Sequence, residues 1–308
     1  MDANQRLCLP RCSRLMRGLP FIVLLLVAPV LQASSLFQDG FDSVDGDKWF
    51  ALDRPAAPFM GVQWRKDHVQ ATGGADSRLA LTLDRNGGAN GKEFASGAYQ
   101  SRSVFGGDMR AEAQIQVAAG DGLVTAMFLY AKTNNGKAHR DEIDIEFLGK
   151  DPTKVQFNYF AEGQGGHEAV VDLGFDASQA LHTYAFETAN NVINWYVDDE
   201  LKYSAAVNGP LDPGQLLLDL WAPDADHEGV LNWAGQFTGD TATALFDNVQ
   251  ISSVKTVNRS LTSARVEGIQ TSPVPLPPAV VLFGSGWLAL VGVRRLWKAS
   301  PPGLGMRA

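Results

Sequence analysis

Between residues 34 and 253, hydrophobic and polar positions alternate in short runs that Gly, Asn and Asp interrupt. Arg78-Leu79-Ala80-Leu81-Thr82-Leu83 alternates, as do residues 109–117 and Asn194-Trp195-Tyr196-Val197. A period of two puts successive side chains on opposite faces of a pleated strand. Asp198-Asp199 falls between Val197 and Leu201-Lys202-Tyr203, the pattern of a two-residue hairpin turn. No segment sustains a 3.6-residue period, so little helix is expected. No repeat of roughly 20–50 residues is visible, which argues against a propeller. The pattern predicts an all-β sandwich or barrel.

The alternation stops at both ends. Residues 1–20 carry Arg6, Arg11, Arg14 and Arg17 against one acid, Asp2, and an apolar run follows over residues 21–31. With the small residue Ala33 after it, residues 1–33 read as a signal peptide cut by signal peptidase. A membrane anchor is the alternative, but the run is well short of the roughly 20 residues that span a bilayer. Both cysteines, Cys8 and Cys12, lie in this leader, so the domain behind it has no disulfide or cysteine metal site. Residues 34–253 read as one catalytic domain, and 254–273, rich in Ser, Thr and Val, as a linker. In the tail, residues 274–308, Val274-Pro275-Leu276-Pro277-Pro278 precedes an apolar run and Arg294-Arg295. It resembles the PEP-CTERM sorting signal of Gram-negative bacteria. That resemblance implies recognition by an exosortase and a final place outside the cell or on its outer envelope. A simple membrane anchor is the alternative.

Charge narrows the choice of partner. The chain holds 26 basic and 34 acidic residues, and residues 34–273 alone hold 18 and 33, a net of −15. Such a domain repels nucleic acid and anionic lipid, so a neutral polymer is the easier partner.

One strand-like segment concentrates that charge. In Glu142-Ile143-Asp144-Ile145-Glu146-Phe147 the apolar residues share one face, and Glu142, Asp144 and Glu146 share the other. A stack of like charges destabilises a strand unless something uses it. A solvated outer face or a calcium site are the bland uses. Glycoside hydrolysis is the chemical one, because it needs two carboxyl groups flanking the scissile bond. The α-carbons of Glu142 and Glu146 would lie roughly 13 Å apart, four steps of about 3.3 Å. Side chains leaning inward then approach the roughly 5–5.5 Å of a retaining enzyme.

The stretch from Asp141 through Phe147 to Phe160 resembles bacterial licheninases of glycoside hydrolase family 16. The likeness continues through Gly166-His167-Glu168, Asp172-Leu173-Gly174-Phe175, His182-Thr183-Tyr184, Trp195-Tyr196-Val197-Asp198 and Leu220-Trp221. It implies a β-jelly roll of two curved antiparallel sheets, concanavalin A-like, with the substrate in a concave cleft. By position, Glu142 would be the nucleophile, Glu146 the general acid/base and Asp144 the assisting carboxylate of a retaining double displacement. Tyr130, Gln156, Asn158, Phe160 and Trp221 would contact sugar, with Trp221 stacking on a ring face. His167 and His182 read as structural hydrogen-bonders. Arg140 stands where licheninases carry Trp, Asp219 where they carry Asn, and Phe160 where they commonly carry Tyr. Arg140 and Asp219 thus belong to the substrate-binding set but set this chain apart, and Arg140 suits an anionic or acylated polysaccharide. The resemblance also implies one structural calcium held by Asp247 and by backbone carbonyls near Gly40 and Ala75. The chemistry needs no cofactor, and a monomer is expected.

Three functions follow. The first is a secreted endo-β-glucanase acting on β-1,3-1,4-glucan-type polysaccharide. The second is an exopolysaccharide depolymerase or transglycosylase of the same family, which the sorting tail favours. The third is a non-catalytic lectin, which has no need of three aligned carboxylates.

Overall fold

The computed structural model describes residues 34–85, 89–132 and 140–254. The segments expected as signal peptide and sorting tail, and all of the expected linker except Val254, lie outside the described residues. In chain order the strands are β1 (Ser35–Asp39), β2 (Trp49–Ala51), β3 (Arg54–Pro55), β4 (Val62–Trp64), β5 (Val69–Ala71), β6 (Leu79–Asp84), β7 (Phe94–Ser96), β8 (Ala98–Phe105) and β9 (Met109–Gln116). They continue with β10 (Val124–Lys132), β11 (Arg140–Leu148), β12 (Lys154–Phe160), β13 (Ala169–Asp172), β14 (His182–Ala189), β15 (Val192–Val197), β16 (Glu200–Ala206), β17 (Gly214–Trp221) and β18 (Thr241–Ser253). Among the described residues one short α-helix, α1 (Glu228–Ala234), lies between β17 and β18.

Seven strands form one sheet in the order β13-β12-β11-β10-β17-β8-β2. The other sheet runs β16-β15-β14-β9-β18-β6-β7-β4-β3, with β1 added on β18 and β5 on β6. The sheets pack as a jelly-roll sandwich whose seven-stranded layer curves around the cleft. The expectation of antiparallel sheets holds with one correction: β4 pairs parallel with β7. β5 and β6 lie between them in the chain and supply the long crossover that a parallel pair requires.

Local sequence explains the strands. β9 alternates buried and half-buried along its whole length. The turn joining β15 and β16 has Asp198 at φ 48° and Asp199 at φ 62°, the left-handed pair of a type I′ hairpin. Asn190 and Asn191, at φ 53° and 60°, make the same turn between β14 and β15. On β11 the apolar face, Ile143, Ile145 and Phe147, is buried in the sandwich core. There Phe147 meets Tyr184 edge-on at 4.7 Å, and Phe157 stacks on Trp195 at 5.7 Å. Trp195 also donates its indole N–H to the Asp144 carbonyl at 3.1 Å. The eleven-stranded sheet therefore holds the backbone of β11 at the middle of its carboxylate row.

Candidate active site

Strand register places the cleft-facing residues in rows. Glu142 lies between Tyr130 and Phe160, Asp144 between Phe128 and Asn158, and Glu146 between Ala126 and Gln156. Beyond β10, the rows continue on β17 as Gln215, Leu217 and Asp219. These residues line one cavity of about 470 Å³, in the size range of ligand sites. All ten residues expected at the site, from Tyr130 to Trp221, border it.

The carboxylates are not equivalent. Burial pushes Asp144 well above the usual carboxylate range, and Glu142 and Glu146 push it further. It therefore favours its protonated form and donates its hydrogen bond to Glu142. Burial also raises Glu142, while the Arg140 charge and the Asp144 hydrogen bond hold it down. The Arg140 Nε lies 2.8 Å from the Glu142 carboxylate. Glu146 is pushed up to about 7, first by burial and next by the charge of Glu142. The amide of Gln156 donates to Glu146 at 3.1 Å and accepts from the Trp233 indole at 3.1 Å. Trp233 thus orients Glu146 through Gln156. Burial that favours neutral acids, set against one guanidinium, separates the acids into different protonation states.

Some expected contacts differ in kind. Trp221 borders the cavity but is only 3% exposed, packed at 5.8 Å from Phe59 and 6.0 Å from Trp233. It is a wall of the cleft rather than an open stacking platform, because the loop carrying Phe59 and helix α1 close over it. Half-buried Trp233 is the more open ring. Phe160 is likewise covered, since the Arg140 guanidinium lies 3.4 Å from its ring centroid. A side chain at Gly165 would strike the Phe160 ring, so glycine there leaves Phe160 its place. Phe160, Arg140 and Glu142 form a stack, and the Arg140 Nη groups make no hydrogen bond among the described residues.

Arg54, Phe59, Glu168 and Trp233 also line the cavity, though the sequence reading did not single them out for it. They come from β3, from loops and from α1, where no alternation marks a face. For Glu168 a signal existed, since Gly166-His167-Glu168 lies in the matched stretch. Oδ1 of Asn158, Oε1 of Glu168 and Oδ1 of Asp219 are buried and make no hydrogen bond among the described residues. A cavity lined with unsatisfied polar atoms suits a ligand rich in hydroxyl groups.

His167 donates from Nδ1 to the Tyr159 carbonyl at 3.0 Å, and His182 pairs with Asp198 at 2.7 Å. Both are structural. Asp247 lies on β18, in the sheet away from the cleft, and accepts from the Asn248 N–H at 2.7 Å. Burial raises its carboxyl, the Asn248 N–H and Arg78 oppose the rise, and Asp42 and Asp76 add to it. Gly40 lies beside the Asn248 side chain. An acidic corner with backbone close by fits a hard cation held mainly by carbonyls. Among the described residues no cluster of three or more His, Cys, Asp or Glu is arranged around a metal.

Comparison with known proteins places these features in context. The family model for glycosyl hydrolases family 16 matches residues 58–241. A β-glucanase of Paenibacillus polymyxa is 42% identical over 208 residues, covering 67% of this chain and 83% of that protein. A lichenase from a mouse hindgut metagenome superposes with a TM-score of 0.64 at 34% identity, covering 71% of this chain and 99% of its own. The Bacillus licheniformis β-glucanase gives a TM-score of 0.64 at 33% identity, over 72% of this chain and 100% of its own.

Proposed function

The chain belongs to glycosyl hydrolase family 16 and is a glycoside hydrolase of the licheninase type, and from this premise we propose a retaining endo-β-1,3-1,4-glucanase. The carboxylate row Glu142, Asp144 and Glu146, with its split protonation states in a cleft of unsatisfied polar atoms, carries the reading. Glu142 attacks the anomeric carbon while Glu146 gives its proton to the leaving glycosidic oxygen. A glycosyl ester forms on Glu142, and of the two causes that hold Glu146 near 7, burial and then the Glu142 charge, the second is gone. Glu146 becomes a stronger acid, hence deprotonated and ready as a base. It takes a proton from water, which attacks the anomeric carbon, breaks its bond to the Glu142 oxygen, releases the sugar and restores the Glu142 carboxylate. A sugar hydroxyl in place of that water gives transglycosylation. Asp144 shares its proton with Glu142 throughout. Tyr130, Arg140, Gln156, Asn158, Phe160, Asp219 and Trp221 surround the sugar chain, with Trp233 as its open aromatic surface.

The test is product analysis on lichenan, laminarin and the native exopolysaccharide, with NMR of the first anomer released. Lichenan cleavage with retention supports the reading, whereas inversion or an untouched polymer sinks it.

The depolymerase reading draws on Arg140, which lines the cleft together with Arg54. For Arg140→Ala we expect the ratio of rates on anionic to neutral glycans to fall; an unchanged ratio removes this reading. The same substitution should move the acid limb of the pH–rate profile upward, since Glu142 loses the charge that keeps it ionised. On neutral glucan kcat/KM should drop about 10- to 100-fold, as Glu142 loses the cation 2.8 Å away that favours its ionised form.

The proposal extends to the ends and to a metal. Residues 1–33 would direct export, and 274–308 would hold or sort the protein at a Gram-negative envelope. Mass spectrometry of both mature termini tests this. Asp247, with backbone carbonyls near Gly40 and near Ala75, would hold a structural calcium that supplies stability and no chemistry. Chelation should then lower Tm in the wild type but not in Asp247→Asn.

A further inference from the structure

The double displacement leaves one buried acid of the cleft without a task. Asp219 on β17 is only 3% exposed, and its Oδ1 makes no hydrogen bond among the described residues. Strand register puts Ala126 beside it on β10 and Ala98 beside it on β8. Glu146 lies on the far side of Ala126. Two methyl groups flank the carboxyl, so Asp219 and Glu146 face each other across a low floor. That floor is part of the cavity.

The charged groups that bear on it are few. β11 contributes Glu146 and Glu142; β10 and β8 contribute only the alanines at this level, and its same-face neighbours on β17 are Leu217 and Trp221. Both charges that reach Asp219 are negative. A buried carboxylate with no cation and no donor is costly, so the group rests as an acid. Burial, Glu146 and Glu142 all push it well above the usual carboxylate range.

We propose that Asp219, one of the residues placed around the sugar chain, meets it as a neutral carboxylic acid and donates its O–H to an oxygen of the ring lying over Ala126. This rests on the glucanase reading and deepens it. A neutral acid offers the donor that an amide would offer. Once ionised, it turns lone pairs toward the same sugar oxygen and adds a third negative charge beside Glu142 and Glu146. The subsite therefore loses its donor as Asp219 ionises, independently of the proton that Glu146 must deliver.

The full-length protein, Asp219→Asn and Asp219→Leu should be compared on barley β-glucan across the pH range. In the wild type the alkaline limb of kcat/KM should steepen from the loss of one proton to the loss of two. In Asp219→Asn, whose amide donates without titrating, the second proton loss should vanish. Asp219→Leu should raise KM about tenfold relative to Asp219→Asn, the loss of one neutral hydrogen bond. A two-proton limb retained in Asp219→Asn, or equal KM values for the two variants, would overturn the proposal. Should the wild type leave the polymer intact, the glucanase reading fails by itself. The neutral acid is then read from the infrared difference between wild type and Asp219→Asn at neutral pH. A missing protonated-carboxyl band there overturns it.

Discussion

Glu142→Gln should remove hydrolysis almost completely, by on the order of 10⁴- to 10⁶-fold in kcat, as loss of a covalent nucleophile does elsewhere. The amide is nearly isosteric, and the Arg140 stack on Phe160 remains, so the fold should survive. Binding of glucan oligosaccharides should survive as well. A lectin would bind as before too, but its parent would release no reducing ends, so the pair of measurements separates enzyme from lectin. The substitution also exposes the coupling between the two glutamates. Glu146 stands at about 7 because of burial first and Glu142 second. Gln at 142 removes a negative neighbour, which makes the ionised form of Glu146 easier to reach, so its pKa must fall. NMR titration of the labelled glutamate carboxyls reads this directly. A Glu146 pKa that stays near 7 in the variant would mean the two groups do not communicate, and the switch from acid to base would lose its cause. In the wild type the same physics sets a narrow bell. Activity falls on the acid side as Glu142 takes a proton and on the alkaline side as Glu146 loses one.

Much of this was legible because β11 announces itself. Three carboxylates at a period of two can only share a face, and the apolar residues between them name the buried side. The turn at Asp198-Asp199 was legible for the same local reason. Contacts made by packing across strands were not. Asp219 reaches the row of Glu146 because β17 pairs with β10, a pairing between strands far apart in the chain. Trp233 reaches Gln156 from a seven-residue helix too short to carry a period. Trp221 shows the limit of reasoning by position. Its place in the cleft was foreseen, but Phe59 and Trp233 pack against it, and neither neighbour is written near it in the chain. Arg140 shows the reverse. It lies two residues before Glu142 on the same face of β11, a spacing from which the ion pair could be read, although the sequence reading aimed Arg140 only at the substrate.

Trp195→Ala should be the most damaging core substitution near the site. Trp195 is fully buried on β15, stacked on Phe157 at 5.7 Å and 5.4 Å from Tyr203. Emptying that volume should cost about 3–5 kcal/mol from lost burial and the cavity left behind. Its indole N–H also satisfies the Asp144 carbonyl, and a buried carbonyl left without a partner adds about 1–3 kcal/mol. Together these lower Tm by roughly 10–20 °C for a domain of this size. Trp195→Phe divides the effect. It keeps a ring against Phe157 but still orphans the carbonyl, so a drop of a few degrees is expected. Calorimetry gives both numbers, and a Trp195→Phe protein as unstable as Trp195→Ala would show that the hydrogen bond, not the packing, dominates. Activity well below Tm then carries the functional half of the argument. The carbonyl that Trp195 holds belongs to the residue between the two glutamates. Releasing it lets the middle of β11 shift, so Trp195→Phe should lose kcat while KM on β-glucan changes little. An unaltered kcat would mean that β10 and β12 alone hold the carboxylate row in place.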